Sequence, residues 1–379
     1  MLYRSSLVRL SDELRGLIPP KPSSLTPKDV VVVARREWSP TMRFHTIVLV
    51  TDKDCDPQLE KRAIVCYSEE WLYDWLAAPI SSGTYTVDGF KGLRKFYFHL
   101  QLKGWTLDYR SHNIGYHKID LRDQTRVDSD SIHSKVKSCL NDAASRGYLA
   151  KNQLANLPRS ELFIPSYMSS KGFELVPGNI YIMKPIGKAS SGAGVTAFSN
   201  DKEYKEALAA IRGKWKEAVV CRYIDNPLLF QGRKFHLRCY LFVSTTGTWS
   251  LFPDAKIITA ALPYERNDYT NPKIHDTHLK TTDKDYFFRN EFSHEVQQRI
   301  WPSVRFICES ISSLTFQGYK EADNSYDILG LDVLIEDNFH CWLLEANFSP
   351  GMDPVSYDGY DKFEKQLFEW EVDRALSLV

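Results

Sequence analysis

Apolar and polar positions alternate along much of this 379-residue chain. A period of two marks strands and a period near 3.6 marks helices. Val30–Ala34 and Thr46–Val50 read as short strands. YSEEWLYDWL predicts a helix over Ser68–Ala77, with a capping box at Ser68 and with Trp71 and Trp75 one turn apart. A further helix is expected over Ile132–Leu149. Then come a strand over Asn179–Met183 ending in Lys184-Pro185, a Gly/Ser-rich loop, a helix over Lys202–Ile211 and a strand over Ala218–Tyr223. Arg233–Val243 forms a longer strand, with Trp249–Phe252 and Lys256–Ala260 beside it. Residues 262–290 are polar and turn-rich, which predicts a long loop. A helix over Ser293–Leu314, a hairpin over Ile328–Ala346 and an amphipathic helix over Tyr360–Leu378 complete the chain. The order of elements predicts an α+β fold with mainly antiparallel sheets.

Composition adds little. Hydrophobic residues make up 43% and charged residues 25%, and the 13% aromatic content argues against extended disorder. The 48 basic and 48 acidic residues cancel, so net charge points to no nucleic-acid partner. No apolar run approaches the roughly 18 residues of a membrane span, and the opening MLYRSSLVRLSDELRG, with Asp12 and Glu13, does not read as a signal peptide. The seven cysteines lack CxxC spacing and read as buried thiols. A cytoplasmic monomer is expected, with neither nucleic-acid nor membrane partner.

The chemistry concentrates in the hairpin ILGLDVLIEDNFHCWLLEANFSPG. With a two-residue turn at Asp337-Asn338, residue 332 faces 343 and residue 330 faces 345. Leu331, Val333, Ile335, Trp342, Leu344 and Ala346 then share the core face, with His340 its only polar member. Asp332, Glu345 and Asn347 share the other, with Gly330 opposite Glu345 leaving space above. The two carboxylates are diagonal neighbours about 7–8 Å apart. Hard oxygen donors grouped in this way suit Mg2+, whereas a plain solvated face would carry Lys, Thr or Ser as well. A three-residue turn would break the geometry.

Two other segments join it. In GRKFHLRCYLFV, alternation places Lys234, His236 and Arg238 on one side, a basic row suited to phosphates or a carboxylate. A charged guard on an edge strand reads equally well from these residues alone. YIMKPIGKASSGAGV ends a strand with a lysine and continues into a loop whose backbone can approach phosphates. It matches neither a Walker A motif nor a kinase loop.

Taken in order, these segments resemble the tubulin tyrosine ligase and ligase-like family, from about residue 146 to the C-terminus. AKNQLANL with LFIPSY, MKPIGKASSGAGV, VVCRYIDNPLLFQGRKFHLRCYLFV and LDVLIED…WLLEANFSPG each resemble a family motif. The resemblance implies an ATP-grasp fold preceded by a separate N-terminal α/β region, with segments 1–145, 146–219 and 220–379. It implies that Lys151, Lys184, Gly192 and Gly194 hold phosphates, and that Cys221, Arg222, Tyr223 and Ile224 line an adenine slot. It places His236 in the nucleotide set, Lys234 and Arg238 toward phosphate and acceptor, and Mg2+ on Asp332, Glu345 and Asn347. The implied activity is ATP- and Mg2+-dependent ligation of a free amino acid to a carboxylate of tubulin, or of another protein with an acidic tail, through an acyl phosphate. The chain departs from the family pattern at His236 (for Asp), Ser191, Cys221 (for Gln), Ile258 (for Arg) and Thr281 (for Asn). Those departures keep two alternatives open: a catalytically impaired binder of tubulin or another acidic partner, and a small-molecule ATP-grasp ligase.

Overall fold

The computed structural model describes residues 161–186, 194–277, 286–314, 325–350 and 362–378, apart from 172, 213, 216, 267, 270, 276 and 349; among the first 160 positions it describes the strands named below and residues 99 and 103. The chain divides into two compact units. One comprises Met1–Leu140, Asp323–Tyr326 and Met352–Val379, and the other Asn141–Ala322 and Asp327–Gly351. Met352–Val379 therefore groups with the N-terminal residues, whereas sequence alone placed it in the segment 220–379.

In the first unit, β1 (Val31–Ala34) pairs antiparallel with β2 (Ile47–Val50), which pairs parallel with β3 (Ala63–Cys66). β4 (Thr84–Asp88) runs parallel to β5 (Thr106–Leu107) and to β6 (Ile114–His117), and β6 runs parallel to β7 (Val136–Ser138). The expected helix over Ile132–Leu149 is thus wrong at Val136–Ser138. These residues take parallel partners at Ile114–Gly115 and Ser325–Tyr326, and this pairing overrides helical propensity. The expected helix over Ser68–Ala77 lies outside the described residues.

The described strands of the second unit lie in two sheets. β8 (Ser166–Met168), β9 (Tyr181–Pro185), β10 (Thr196–Phe198) and β11 (Ala218–Arg222) form an antiparallel sheet in the order β10-β9-β11-β8. Helix α1 (Asp201–Arg212) packs on it through Ala207 and Ile211, against Met183, Phe198 and Val220. The start of α1 is capped reciprocally. Asn200 Oδ1 accepts from the Glu203 amide at 3.0 Å, and Glu203 Oε2 accepts from the Ser199 amide at 2.7 Å. The backbone bond from Ser199, helped by side-chain bonds from Asn200 and Ser199 to the carboxylate, lowers the Glu203 carboxyl below its ordinary range.

The other sheet contains β12 (Leu229–Phe230), β13 (Arg233–Ser244), β14 (Trp249–Thr259), β15 (Tyr286–Phe287), β16 (Ser325–Ile335) and β17 (Cys341–Phe348). β14 is one strand, not the expected two. Its register to β13 shifts between Cys239 and Leu241, and Pro253 and Asp254 fall in that irregularity. A bulge is where a strand tolerates a residue lacking an N–H. The 262–290 segment is not all loop: it contains α2 (Pro272–His275) and β15, and α3 (Phe288–Glu291) begins within it. Helix α4 (His294–Leu314) lays Ile300, Val304, Ile307 and Ile311 over Leu237, Leu241, Leu331 and Val333, closing the main core. Helix α5 (Lys362–Leu376) belongs to the first unit and buries Phe363, Leu367, Phe368 and Val372. The protein is therefore α+β, with antiparallel sheets in its second unit.

Candidate active site

A cavity of about 360 Å3 lies within the second unit, between its two sheets. β9 contributes Lys184, the end of β11 contributes Cys221 and Arg222, and Tyr223 and Ile224 follow directly. β13 adds Lys234 and His236, β16 adds Asp332, and β17 adds Glu345. One end of the cavity is apolar, formed by Ile164, Ile182, Leu334 and Leu344. The segment Leu262–Thr277 closes another side with Tyr269, His275 and Thr277.

The hairpin register decides whether the acids converge. The turn has three residues, Asp337 to Phe339. The Glu336 amide bonds to the His340 carbonyl at 2.9 Å, and Phe339 takes φ 72°. That pairs Val333 with Leu343 and Ile335 with Cys341, and by itself it would turn Glu345 away from Asp332. A bulge between Asp332 and Val333 restores the face: Asp332 lies directly opposite Glu345, and Gly330 opposite Asn347. The expected pairings 332–343 and 330–345 are thus corrected, while the shared face of Asp332, Glu345 and Asn347 holds. The three-residue turn also moves Cys341 and Leu343 into the core and turns Trp342 and Leu344 toward the cavity side, reversing their expected placement. His340 is correspondingly off the core face, its ring 4.3 Å from that of Trp342. Gly330 does not open room for a cation. A Cβ there would lie 2.5 Å from Pro350 and 3.2 Å from Arg238 Cδ, so the missing side chain admits those two groups.

Asp332, 1% exposed, is the hub of the polar web. Arg238 grips it with Nε at 2.5 Å and Nη2 at 3.1 Å, and His236 Nε2 lies 3.4 Å from Oδ1. Asn347 Nδ2 donates to Asp332 at 3.1 Å and to Glu345 at 3.1 Å. Burial opposes ionisation of Asp332, but His236 and Arg238 outweigh it and hold the carboxyl far below the carboxylate range. The donor set fits a hard cation on one condition. The Asn347 amide must turn so that its oxygen, not its nitrogen, faces the two carboxylates, a rotation that conserves volume.

Lys234 presents the opposite charge. Its Nζ donates to the Ile224 carbonyl at 3.2 Å and sits 3.9 Å from the centre of the Tyr223 ring. Burial pushes its ammonium down to about 7, with repulsion from Lys184 adding to the effect. An anion in the cavity favours the charged form. Pyrophosphate binding at pH 8 is therefore expected to take up close to one proton, and affinity should fall as pH rises past about 7. Calorimetry in two buffers of different ionisation enthalpy measures this, and zero uptake would refute it. In the empty chain the unfolded lysine keeps its proton to about 10.4. Between about 7 and 10.4 the folded form thus binds fewer protons, so this group makes stability rise with pH over that window.

Most of the other expected residues meet at the cavity. Lys184, Cys221, Arg222, Tyr223, Ile224, Lys234 and His236 all line it, with Asp332 and Glu345. Arg238 stands behind Asp332, not on the cavity wall, and Asn347 reaches the site through its two hydrogen bonds. Gly194, at φ 79°, admits Trp215 and Pro185, because a Cβ there would come within 2.7 Å of the indole. Lys151 and Gly192 lie outside the described residues. Sequence reasoning missed His275 and Thr277, whose hydroxyl meets His236 Nδ1 at 2.7 Å, because nothing periodic marks their segment. The four described free cysteines, Cys221, Cys239, Cys308 and Cys341, are buried as expected. Among the described residues no helix is long and apolar enough to cross a membrane.

Comparison with known proteins identifies the family. The model of the tubulin-tyrosine ligase family matches residues 138–286 and 264–369, more than half of the chain. Tubulin glycylase 3D of Tetrahymena thermophila is 27% identical over 216 residues, covering 50% of this chain and 20% of that protein. Tubulin glycylase 3C of the same organism is 26% identical over 200 residues, 46% of this chain and 18% of the relative. Probable alpha-tubulin polyglutamylase Ttll1, also from that organism, is 26% identical over 233 residues, 52% of each chain. The match thus spans a fifth or less of these glycylases and about half of the polyglutamylase. The chain belongs to the tubulin-tyrosine ligase family.

Proposed function

We propose that this chain is an ATP- and Mg2+-dependent carboxylate–amine ligase of ATP-grasp architecture. It would join a free amino acid to a carboxylate of tubulin or of another protein with an acidic tail. One observation carries the reading: a single cavity sets Lys184 and Lys234 on the same walls as Asp332 and Glu345, beside an apolar end of Ile164, Ile182, Leu334 and Leu344. Lysines oppose phosphate charge, apolar walls suit a nucleobase, and paired acids suit the cation that accompanies a triphosphate.

In the proposed reaction the acceptor carboxylate oxygen attacks the γ-phosphorus and ADP departs. The amine of the incoming amino acid then attacks the acyl carbon, phosphate leaves and the amine loses a proton. Lys184 and Lys234 hold the phosphates in line, and the buried position of Lys234 strengthens its attraction to them. Arg238 fixes the Asp332 carboxylate with two hydrogen bonds. Magnesium, held by Asp332, Glu345 and Asn347, would neutralise the developing phosphoryl charge.

Mass spectrometry of tubulin after incubation with purified protein, Mg-ATP and single amino acids tests the reading. A mass increment from Glu, Gly or Tyr is expected. None, beside a working control ligase, would count against it. The crowding of donors around Asp332 favours a second reading, a non-catalytic binder of an acidic partner. Nucleotide titration separates the two, since tight Mg-ATP binding that depends on Glu345 belongs to the enzyme alone.

A further inference from the structure

The segment Leu262–Thr277 is tied down at several points. The Tyr264 amide bonds to the Gly232 carbonyl at 2.8 Å, its hydroxyl to the Asp225 carbonyl at 2.8 Å, and the Tyr269 hydroxyl to Ser199 Oγ at 3.2 Å. A further tether runs through an imidazole on the cavity wall. His275 Nδ1 lies 2.5 Å from the Tyr223 hydroxyl, while its Nε2 lies 2.5 Å from the Asp268 carbonyl. A carbonyl can only accept, so Nε2 carries the proton and Nδ1 accepts from the tyrosine. The two rings stand at 89°, and Tyr223 is 5% exposed. On the Tyr223 ring rests the Lys234 ammonium. Of its three protons, one goes to the Ile224 carbonyl and one toward the ring face, which leaves the third for the cavity.

We infer that His275 is a positioning residue for anion binding: in its neutral form it anchors the Tyr223 ring, and that ring aims the Lys234 ammonium at a phosphate in the cavity. The inference rests on the nucleotide reading proposed above. Four titratable or charged groups face His275: Tyr223 from the end of β11, Lys234 from β13, and Tyr264 and Asp268 from its own segment. Burial lowers the His275 imidazolium below its ordinary value and Lys234 repels it further, against the Asp268 hydrogen bond. Protonation would reverse that bond, with Nδ1–H donating to the tyrosine oxygen, and would set a second cation near the Lys234 ammonium.

The test is direct binding of Mg-ATP by calorimetry between pH 5.5 and 8. His275→Phe should weaken binding about tenfold at pH 7.5, the loss of one buried hydrogen bond. His275→Gln, whose oxygen can accept from Tyr223 while its amide donates to Asp268, should restore most of it. His275→Gln should also lose the part of the acid-side weakening that wild type shows beyond nucleotide protonation. Tyr223→Phe should match His275→Phe, and the double variant should be no weaker than either single one. Equal affinity in wild type and a folded His275→Phe, or additive losses in the double variant, overturns this inference alone. Absence of Mg-ATP binding by wild type overturns the nucleotide reading and this inference with it.

Discussion

Glu345→Gln is expected to reduce Mg-ATP turnover by about 10²–10³-fold or more, the range seen when a group that stabilises developing charge is removed. The substitution keeps shape and volume, so the loss is one of charge. Glu345 is half-buried, lines the cavity directly opposite Asp332 and accepts from Asn347 Nδ2. The two-pronged guanidinium clamp of Arg238 is on Asp332. Glu345 is thus the acid better placed to meet a cation with little rearrangement. No core contact changes, so unfolding free energy should stay within about 0.5 kcal/mol of wild type. Steady-state ATPase and ligase assays over a magnesium titration, beside a denaturant melt, check both halves. Unchanged turnover would remove Glu345 from the site.

Arg238→Met carries the largest expected effect on stability. Met keeps an apolar stem near Gly330 but removes the two-pronged guanidinium partner of the buried Asp332, leaving His236 at 3.4 Å beside it. Stranding one partner of a buried ion pair costs about 3–5 kcal/mol. The sign with pH follows from the depressed Asp332 carboxyl. Its stabilisation is fully present above the unfolded value near 3.9 and is lost as pH falls toward the folded value. The gap between wild type and Arg238→Met should therefore be widest at neutral pH and should narrow below about pH 4. Replacing both residues, Arg238→Met with Asp332→Leu, should recover much of the loss, since neither half of that ion pair is then left stranded. Denaturant melts at pH 7 and pH 3 measure the gap. A loss below about 1 kcal/mol at pH 7 would contradict the hub role of Asp332.

How far the chain could be read depended on whether the signal was local. β9, β11, β13 and α1 show their periods in single segments, and they formed within a residue or two of expectation. Lys234 and Glu345 were found the same way, on the polar face of an alternating strand, and Lys184 as the lysine that ends a strand before a Gly/Ser-rich loop. The hairpin marks the limit. The turn length fixes which residues oppose one another, and Asp337-Asn338-Phe339 took three residues where Asp-Asn suggested two. That longer turn reversed the positions of Trp342 and Leu344, and the bulge beside Asp332 then repaired the face beyond it, so the acid pair was right. No local pattern announces a bulge, because it is chosen by packing on both sides of the sheet. The His275 tether was illegible for a related reason. It depends on single hydrogen bonds to residues 52 positions away and within its own turn-rich segment.

The division of the chain into units has a consequence for synthesis. The first unit draws on Met1–Leu140 but also on Met352–Val379, so the ribosome must finish the intervening two hundred or so residues before that unit has all its parts. The second unit, complete by Gly351, can close beforehand. The usual N-to-C order of maturation is inverted here: the part made first waits for α5, whose Phe363, Leu367 and Val372 are buried only once the chain is complete.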